Sequence, residues 1–136
     1  GGKYFGIDIN SQYIEWAKNR FDGQFLTMDC TKLDFEDEFF DHVLTIATFH
    51  HLSDEQVIET LKEGLRASKK NSPVHIVDAI YPLINNRFKY FYFSLDRGKF
   101  QRTYSQLNDL LNKNFKVTKS LAKKGFLHDV CYIRIN

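Results

Sequence analysis

The chain contains few cysteines and prolines. Its 136 residues include two Cys and two Pro, too few for a disulfide framework, and there is no C-x-x-C pair that would indicate a redox or metal motif. The two prolines and seven glycines leave little room for linkers, so we expect a single domain over residues 1–136. The low cysteine content favours a reducing compartment, and we expect a cytoplasmic location.

Long apolar runs and a charge excess are also missing. No stretch approaches the roughly 20 apolar residues that a membrane span requires, and we expect no signal peptide. Lys and Arg total 19 against 17 Asp and Glu, so net charge gives no indication of nucleic-acid binding. Aromatic residues, by contrast, are abundant. Thirteen Phe and seven Tyr suit a large core, an apolar ligand pocket or an interface.

Apolar runs typical of strands alternate with helical patterns. Asn10 or Ser11 can begin a helix, and Ser53 with Gln56 forms a capping box at the start of another. This alternation predicts an α/β fold with a mostly parallel sheet and helices on both faces, and the last two strands add an antiparallel pair. The predicted strands are residues 4–9, 24–28, 41–47, 74–78, 115–121 and 129–135.

The first two of these strands have an acidic residue at their carboxyl end, Asp8 within the first and Asp29 directly after the second. In open α/β sheets ligands bind beyond the carboxyl ends of the strands, where Asp8 could accept hydrogen bonds from both hydroxyls of a ribose. Asp29 could accept from an exocyclic amine while the amide of Cys30 donates to a ring nitrogen. Alternatively, Asp8 only caps the next helix and Asp29 only shapes the turn before Thr31. Together the two acids favour a nucleoside site.

The histidine pair His50–His51 follows the third predicted strand. Because histidine titrates near neutral pH, either residue could act as a general base or orient a substrate. No third ligand lies at a suitable spacing, so we expect no metal. In the alternative interpretation, one histidine packs beneath the helix start and hydrogen-bonds the loop backbone.

The aromatic segment 87–93 could line an apolar substrate cavity or lie against a membrane surface, although ordinary core packing is the favoured interpretation. After it, Asp96, Arg97 and Arg102 could bind an anionic group or form a local salt bridge.

Three runs, residues 4–11, 25–30 and 40–52, resemble class I S-adenosylmethionine-dependent methyltransferases. They are most similar to the small-molecule branch that includes the ubiquinone and menaquinone methyltransferases. The resemblance implies a Rossmann-like fold, S-adenosylmethionine as cofactor, and methyl transfer to a small molecule, with an apolar or aromatic acceptor favoured.

The same resemblance implies the roles of single residues. The ribose-binding acid falls on Asp8 with Ile9 beside it, and the adenine-contacting acid falls on Asp29 with Cys30 next to the ring. The methionine part would face Ile46 and Ala47. The pair His50 and His51 would lie where the acceptor enters.

One part of the family pattern is missing. The family's G-x-G-x-G loop and its strand precede the strand that contains Asp8, and the printed sequence has no glycines at that spacing. In the family's strand order, 3-2-1-4-5-7-6, this strand is central. We therefore expect an N-terminally truncated domain without its first strand and helix, with two unpaired strand edges that favour self-association.

Two other interpretations remain open at this point. A non-catalytic binding or partner subunit could keep the fold after losing the cofactor loop. A nicotinamide dehydrogenase also places an acid on a ribose, but Asp29 and the histidine pair argue against it.

Overall fold

The computed structural model describes residues 2–83, 87–95, 98–126 and 128–136. A 3-10 turn, Phe49–His51, lies between the third strand and the second helix. The elements, in chain order, are β1 (Phe5–Asp8), α1 (Ser11–Lys18), β2 (Gln24–Thr27), β3 (Val43–Ile46), α2 (Asp54–Ala67), β4 (Val74–Ile80), α3 (Arg87–Ser94), α4 (Tyr104–Asn114), β5 (Val117–Lys123) and β6 (Asp129–Ile135).

The strands form two sheets. β1 and β2 pair in parallel, with Asp8 opposite Thr27, and the second sheet has the order β3-β4-β6-β5. β3 and β4 are parallel, whereas β6 runs antiparallel to both β4 and β5. The predicted α/β class and antiparallel C-terminal strand are therefore confirmed. Among the described residues, no strand pairs with the second edge of β1 or of β3.

A phenylalanine cluster and α2 join the two-stranded sheet to the larger one. The ring of Phe5 makes edge-to-face contacts with Phe35, Phe39 and Phe40, with ring centroids 5.5–5.8 Å apart. The Phe40 backbone then pairs with the end of α2: its amide donates to the Ala67 carbonyl, and its carbonyl accepts from the Lys69 amide, both at 2.8 Å. These contacts hold the amino end of β1 near the carboxyl end of α2.

The main core lies between one face of the four-stranded sheet and the helices α2 and α4. Along β4 and β6 every second residue is buried, as expected for strands with one face on a core. The capping box predicted at Ser53 and Gln56 is present, and Thr103 with Gln106 forms another at α4. The core comprises Phe49, Val57, Leu61, Val74, Ile76, Ile80, Leu107, Leu111, Cys131, Ile133 and Ile135.

Helix α1 begins after the N-cap Asn10, as predicted, and buries Ile14. The side chain of Tyr13, next to Ile14, is exposed, as is that of Phe21 beyond the end of the helix. None of the helices in the described part of the chain is both long and apolar enough to cross a bilayer.

Candidate functional site

Asp8 lies at the carboxyl end of β1 and is half-buried. Its Oδ1 accepts a hydrogen bond of 2.7 Å from the amide of Asn10, and Asn10 in turn caps α1 by accepting from the Gln12 amide at 2.9 Å. The capping role therefore belongs to Asn10, and Asp8 supports it. Among the described residues, no hydrogen bond to Asp8 Oδ2 is present, so this oxygen retains capacity to accept. The next residue, Ile9, is an exposed apolar side chain.

Asp29 follows β2 at the same sheet edge as Asp8, since β1 and β2 are parallel. Its Oδ1 accepts from both the amide and the hydroxyl of Thr31, each at 2.8 Å. These hydrogen bonds lower the pKa of Asp29, which keeps the carboxylate charged at neutral pH. The predicted turn with Thr31 is confirmed, and Asp29 remains exposed to solvent as an acceptor.

Cys30 connects this strand end to α2. The Thr60 hydroxyl donates to Cys30 Sγ at 3.4 Å, and burial raises the pKa of the Cys30 thiol. A thiol held protonated in this way is a poor nucleophile. Cys30 is therefore suited to contact a ligand through its backbone or its sulfur surface rather than to attack one.

The chain turns sharply where β3 ends. Ile46 is exposed, and Ala47 has a φ of 50°, a left-handed conformation that is costly for a residue other than glycine. The turn is held by three hydrogen bonds: the Ala47 amide donates to the Val77 carbonyl at 2.9 Å, the Thr48 hydroxyl to the Ile46 carbonyl at 2.9 Å, and the Thr48 amide to Asp78 at 2.9 Å.

Asp78 organises the loop that carries both histidines. It is only 1% exposed, and its Oδ2 accepts from the amides of Thr48 at 2.9 Å and Phe49 at 2.6 Å. Its Oδ1 lies 2.7 Å from His50 Nδ1. A buried carboxylate needs such partners. The sequence analysis did not predict that Asp78 holds the histidine loop, although Asp78 follows an apolar run as Asp8 and Asp29 do.

The two adjacent histidines occupy different environments. His50 is 6% exposed, and its carbonyl accepts from the Phe100 amide at 3.0 Å, so the segment after α3 covers it. A Cβ on Gly98 would lie 2.6 Å from His50 Cδ2, so this close approach needs glycine. His51 is exposed, and its ring centroid lies 4.1 Å from that of His50. Of the two imidazoles, His51 is the more accessible to a substrate.

Arg102 stabilises the histidine loop instead of presenting a free guanidinium. It donates to the carbonyl oxygens of Phe49 and Leu52, both at 2.8 Å, and forms an ion pair with Asp54 at 2.6 Å. Arg102 thus forms a salt bridge, one of the two roles left open for it, but with a partner 48 positions away in sequence and not with a local one. The other two residues of that prediction, Asp96 and Arg97, lie outside the described residues.

The parallel strands β1 and β2 thus place two carboxylates and a half-buried thiol at their carboxyl ends. The end of β3, in the other sheet, exposes the apolar side chain of Ile46. In the described ranges no three His, Cys, Asp or Glu side chains are arranged to hold a metal ion. A cleft of about 550 Å³ near Arg66 and Lys69 includes none of these residues. In open α/β sheets ligands bind beyond the carboxyl ends of the strands, and a carboxylate placed there can accept hydrogen bonds from the hydroxyls of a ribose.

The comparison with protein families identifies the family. The sequence model of a family described as "Methyltransferase domain" matches residues 1–71, slightly more than half of the chain. The chain belongs to this methyltransferase domain family, which favours the methyltransferase interpretation over a nicotinamide dehydrogenase. A search of curated protein sequences finds no significant match.

Solved structures share the fold at low sequence identity. A SAM-dependent methyltransferase from Methanosarcina mazei is 18% identical with a TM-score of 0.72, and the match covers 96% of this chain and 80% of that one. A SAM-dependent methyltransferase from Aquifex aeolicus is 16% identical with a TM-score of 0.72, over 98% and 68%. Magnesium protoporphyrin IX methyltransferase from Synechocystis, crystallised with bound SAH, is 15% identical with a TM-score of 0.69, over 99% and 64%.

Proposed function

We propose that this chain is a methyltransferase domain that uses S-adenosylmethionine and transfers its methyl group to a small-molecule acceptor. The observation that carries the proposal is Asp8, a half-buried carboxylate at the end of a parallel strand, whose Oδ2 has no hydrogen-bond partner among the described residues. Asp29, charged and exposed, follows the neighbouring strand. When bound, the cofactor supplies an electrophilic methyl group.

The residues at the strand ends fit the parts of this cofactor. Asp8 accepts hydrogen bonds from the ribose hydroxyls, Asp29 accepts from the adenine amine, and the Cys30 amide donates to a ring nitrogen. Ile9 packs against the nucleoside, because it is apolar and exposed at the same strand end as Asp8. Ile46 and Ala47 face the methionine part at the end of β3. Binding would remove the exposed isoleucine side chains from water, which stabilises the complex.

We assign different roles to the two histidines. Because His51 is exposed, it is our candidate base for an acceptor that must lose a proton. His50 is buried, held by Asp78, and its ring lies against that of His51 at a tilt of 45°, so it positions the exposed ring. Exchange of His51 for Gln should lower the transfer rate to phenolic acceptors and remove the acid limb of the pH profile. An unchanged pH profile would exclude the base role.

The acceptor class follows from the surface beside the site. The segment around α3 exposes several aromatic side chains and connects to the loop that covers His50, so we propose an apolar or aromatic acceptor. The likeness to ubiquinone and menaquinone methyltransferases stays a prediction. The single domain over residues 1–136 and the cytoplasmic location also stay predictions.

Calorimetry with S-adenosylhomocysteine tests the cofactor site. Asp8→Ala should weaken binding by about 1–3 kcal/mol, the cost of unpaired hydrogen-bonding groups, whereas Asp8→Asn should recover part of the loss because an amide oxygen still accepts. Asp22→Ala, which removes an exposed acid after α1, is the matched control. If Asp8→Ala and the control bind S-adenosylhomocysteine with equal affinity, Asp8 only shapes the turn before α1 and does not bind the cofactor. Complete absence of cofactor binding would favour the non-catalytic alternative.

A further inference from the structure

The four-stranded sheet has a second face, opposite the core. Successive side chains of a strand point to opposite faces, and β4 and β6 bury every second residue in the core. Helices α2 and α4 supply much of the rest of that core. The alternate residues of the four strands therefore share one surface, and the register of the strands orders them into rows.

An apolar row crosses this second face. Ile46 of β3 lies opposite Val77 of β4, Val77 lies opposite Tyr132 of β6, and Tyr132 lies opposite Leu121 of β5. Ile46 and Leu121, at the two ends of the row, are 60% and 39% exposed. Parallel strands such as β3 and β4 usually have both faces covered, so an exposed apolar row on them indicates an interaction surface.

A cationic row runs beside the apolar one. His75 of β4 lies opposite Arg134 of β6, which lies opposite Lys119 of β5. Two contacts show that both rows share a surface: His75 Nδ1 lies 2.9 Å from the Tyr132 hydroxyl, and Lys119 Nζ lies 5.7 Å from the centroid of the Tyr132 ring. Lys123 lies on the same side of β5 as Lys119, beyond the apolar row. We call the two rows and Lys123 the outer face.

The charge of the outer face indicates the kind of partner. Burial lowers the pKa of His75, and the nearby His42 and Arg134 lower it further, so the positive charge at neutral pH comes from Lys119, Lys123 and Arg134. The outward positions of the four strands include no Asp or Glu. Cations therefore flank the apolar row on both sides, and they favour an anionic partner.

The sheet also limits the shape of this partner. β4 pairs with β3 and β6, and β6 pairs with β4 and β5, so the backbone groups of the two central strands are already hydrogen-bonded to neighbours. A segment that lies on the outer face must satisfy its own backbone groups, as a helix does. The seven-residue strands β4 and β6 extend about 23 Å, and a helix of about 15 residues has the same length.

We propose that the outer face binds an acidic amphipathic helix of a partner protein. The apolar side of that helix covers the apolar row, and its acidic side chains pair with the lysines and Arg134. Two copies of this chain docked by the same face would bring like charges onto one interface. A nucleic acid would find a single base-stacking ring, that of Tyr132, in an otherwise aliphatic row. The proposal goes beyond methyl transfer and does not depend on it.

Binding of two synthetic peptides, measured by fluorescence anisotropy, tests the proposal. Both are stapled helices of about 15 residues with a leucine stripe, and the flanking positions carry glutamate in one and lysine in the other. The unmodified chain should bind the glutamate peptide about tenfold or more tightly than the lysine peptide, and added salt should weaken this binding. Lys119→Glu combined with Lys123→Glu should reverse the preference. Leu121→Ser should weaken binding of the glutamate peptide about threefold or more, because the apolar row loses a side chain.

The matched control is Lys62→Glu combined with Lys70→Glu, which makes the same change of charge at exposed positions in and after α2. It should keep the preference for the glutamate peptide, and circular dichroism should show all variants folded. Amide chemical shifts should locate the bound peptide on β4, β5 and β6. Equal binding of both peptides, no binding at about millimolar peptide, shifts confined to other regions, or a reversed preference in the control would overturn the proposal.

Two other occupants of the outer face are distinguished by the same lysine variant. If light scattering shows a dimer that dissociates in Lys119→Glu combined with Lys123→Glu, the face binds a second copy and the proposal is wrong. The proposal is also wrong if a single-stranded RNA oligonucleotide binds more tightly than the glutamate peptide and this variant loses the RNA binding.

Discussion

Asp78 fixes the position of His50: Oδ1 of the carboxylate lies 2.7 Å from Nδ1 of the imidazole. The other oxygen holds the amides of Thr48 and Phe49. The sheet explains this arrangement. Ile46 at the end of β3 lies opposite Val77 of β4, so the residue after Val77 falls beside the turn that leaves β3. One buried side chain therefore shapes the end of β3 and the histidine loop together.

Replacement of Asp78 should destabilise the domain strongly. We expect Asp78→Ala to lower the free energy of unfolding by about 2–4 kcal/mol, because it leaves two backbone amides and an imidazole without their acceptor. Urea denaturation measures the change. Asp109→Ala, at an exposed position of α4, should change stability by less than about 0.5 kcal/mol. A loss in Asp78→Ala as small as in this control would mean that the loop holds its shape without the carboxylate.

The left-handed conformation of Ala47 gives a second stability prediction. Because Ala47 has a φ of 50°, replacing it with glycine relieves backbone strain in the folded chain. Glycine also makes the unfolded chain more flexible, which lowers stability. The two effects oppose each other, so the free energy of unfolding should change little or rise. Ala79→Gly in β4 should instead cost about 0.5–1 kcal/mol, since extended backbone gains nothing from glycine. Thermal melting of both variants measures the contrast. Equal losses at the two positions would exclude strain at Ala47.

One edge of β1 and one edge of β3 pair with no other strand in the described part of the chain, and these edges predict self-association. β3 has no charged residue and exposes Leu44 and Ile46, whereas β5, at the other edge of the sheet, carries Lys119 and Lys123 and a register shift. Charges and irregularities of this kind protect a strand edge. Size-exclusion chromatography with light scattering should therefore show a mass that rises with concentration.

Two variants test whether the chains associate through the edge of β3. A lysine on β3, in Ile46→Lys, should reduce the association, whereas Leu121→Lys on β5 should not. A monomer of 16.1 kDa at every concentration would show that the edges of β1 and β3 do not associate.

Much of the fold was predictable because it rests on local patterns. The apolar runs, the capping box of Ser53 and Gln56 and the acids Asp8 and Asp29 depend on neighbouring residues. Other features depend on pairs far apart in sequence. Asp78 meets His50 across 28 positions and Lys89 meets Asp129 across 40, so no local pattern predicts either contact. Arg102 likewise finds its carbonyl partners only in the folded loop.

Acidification should destabilise the domain partly through His75. Burial lowers the pKa of His75, and the nearby His42 and Arg134 lower it further. The unfolded chain therefore binds a proton at this site more readily than the folded chain, so stability falls as the pH drops below about 6.5. Urea unfolding between about pH 7 and 5 should show a smaller loss in His75→Gln. His51→Gln, at an exposed position, is the control and should lose as much stability on acidification as the unmodified chain. If the control loses less stability and His75→Gln does not, the effect does not come from His75.

Mapping of S-adenosylhomocysteine by two-dimensional NMR tests the cofactor site most directly, because chemical-shift changes locate even a weakly bound ligand. We expect weak binding, since the printed sequence has no G-x-G-x-G loop to hold the methionine half. The amides of Asp8, Ile9, Asp29, Cys30 and Ala47 should shift in a saturable manner, while those of β5 remain unchanged. Two results would contradict a cofactor site at the ends of β1, β2 and β3. One is saturable shifts confined to other regions, such as the cleft near Arg66. The other is the absence of shifts at about millimolar ligand, a concentration at which binding is worth only about 4 kcal/mol.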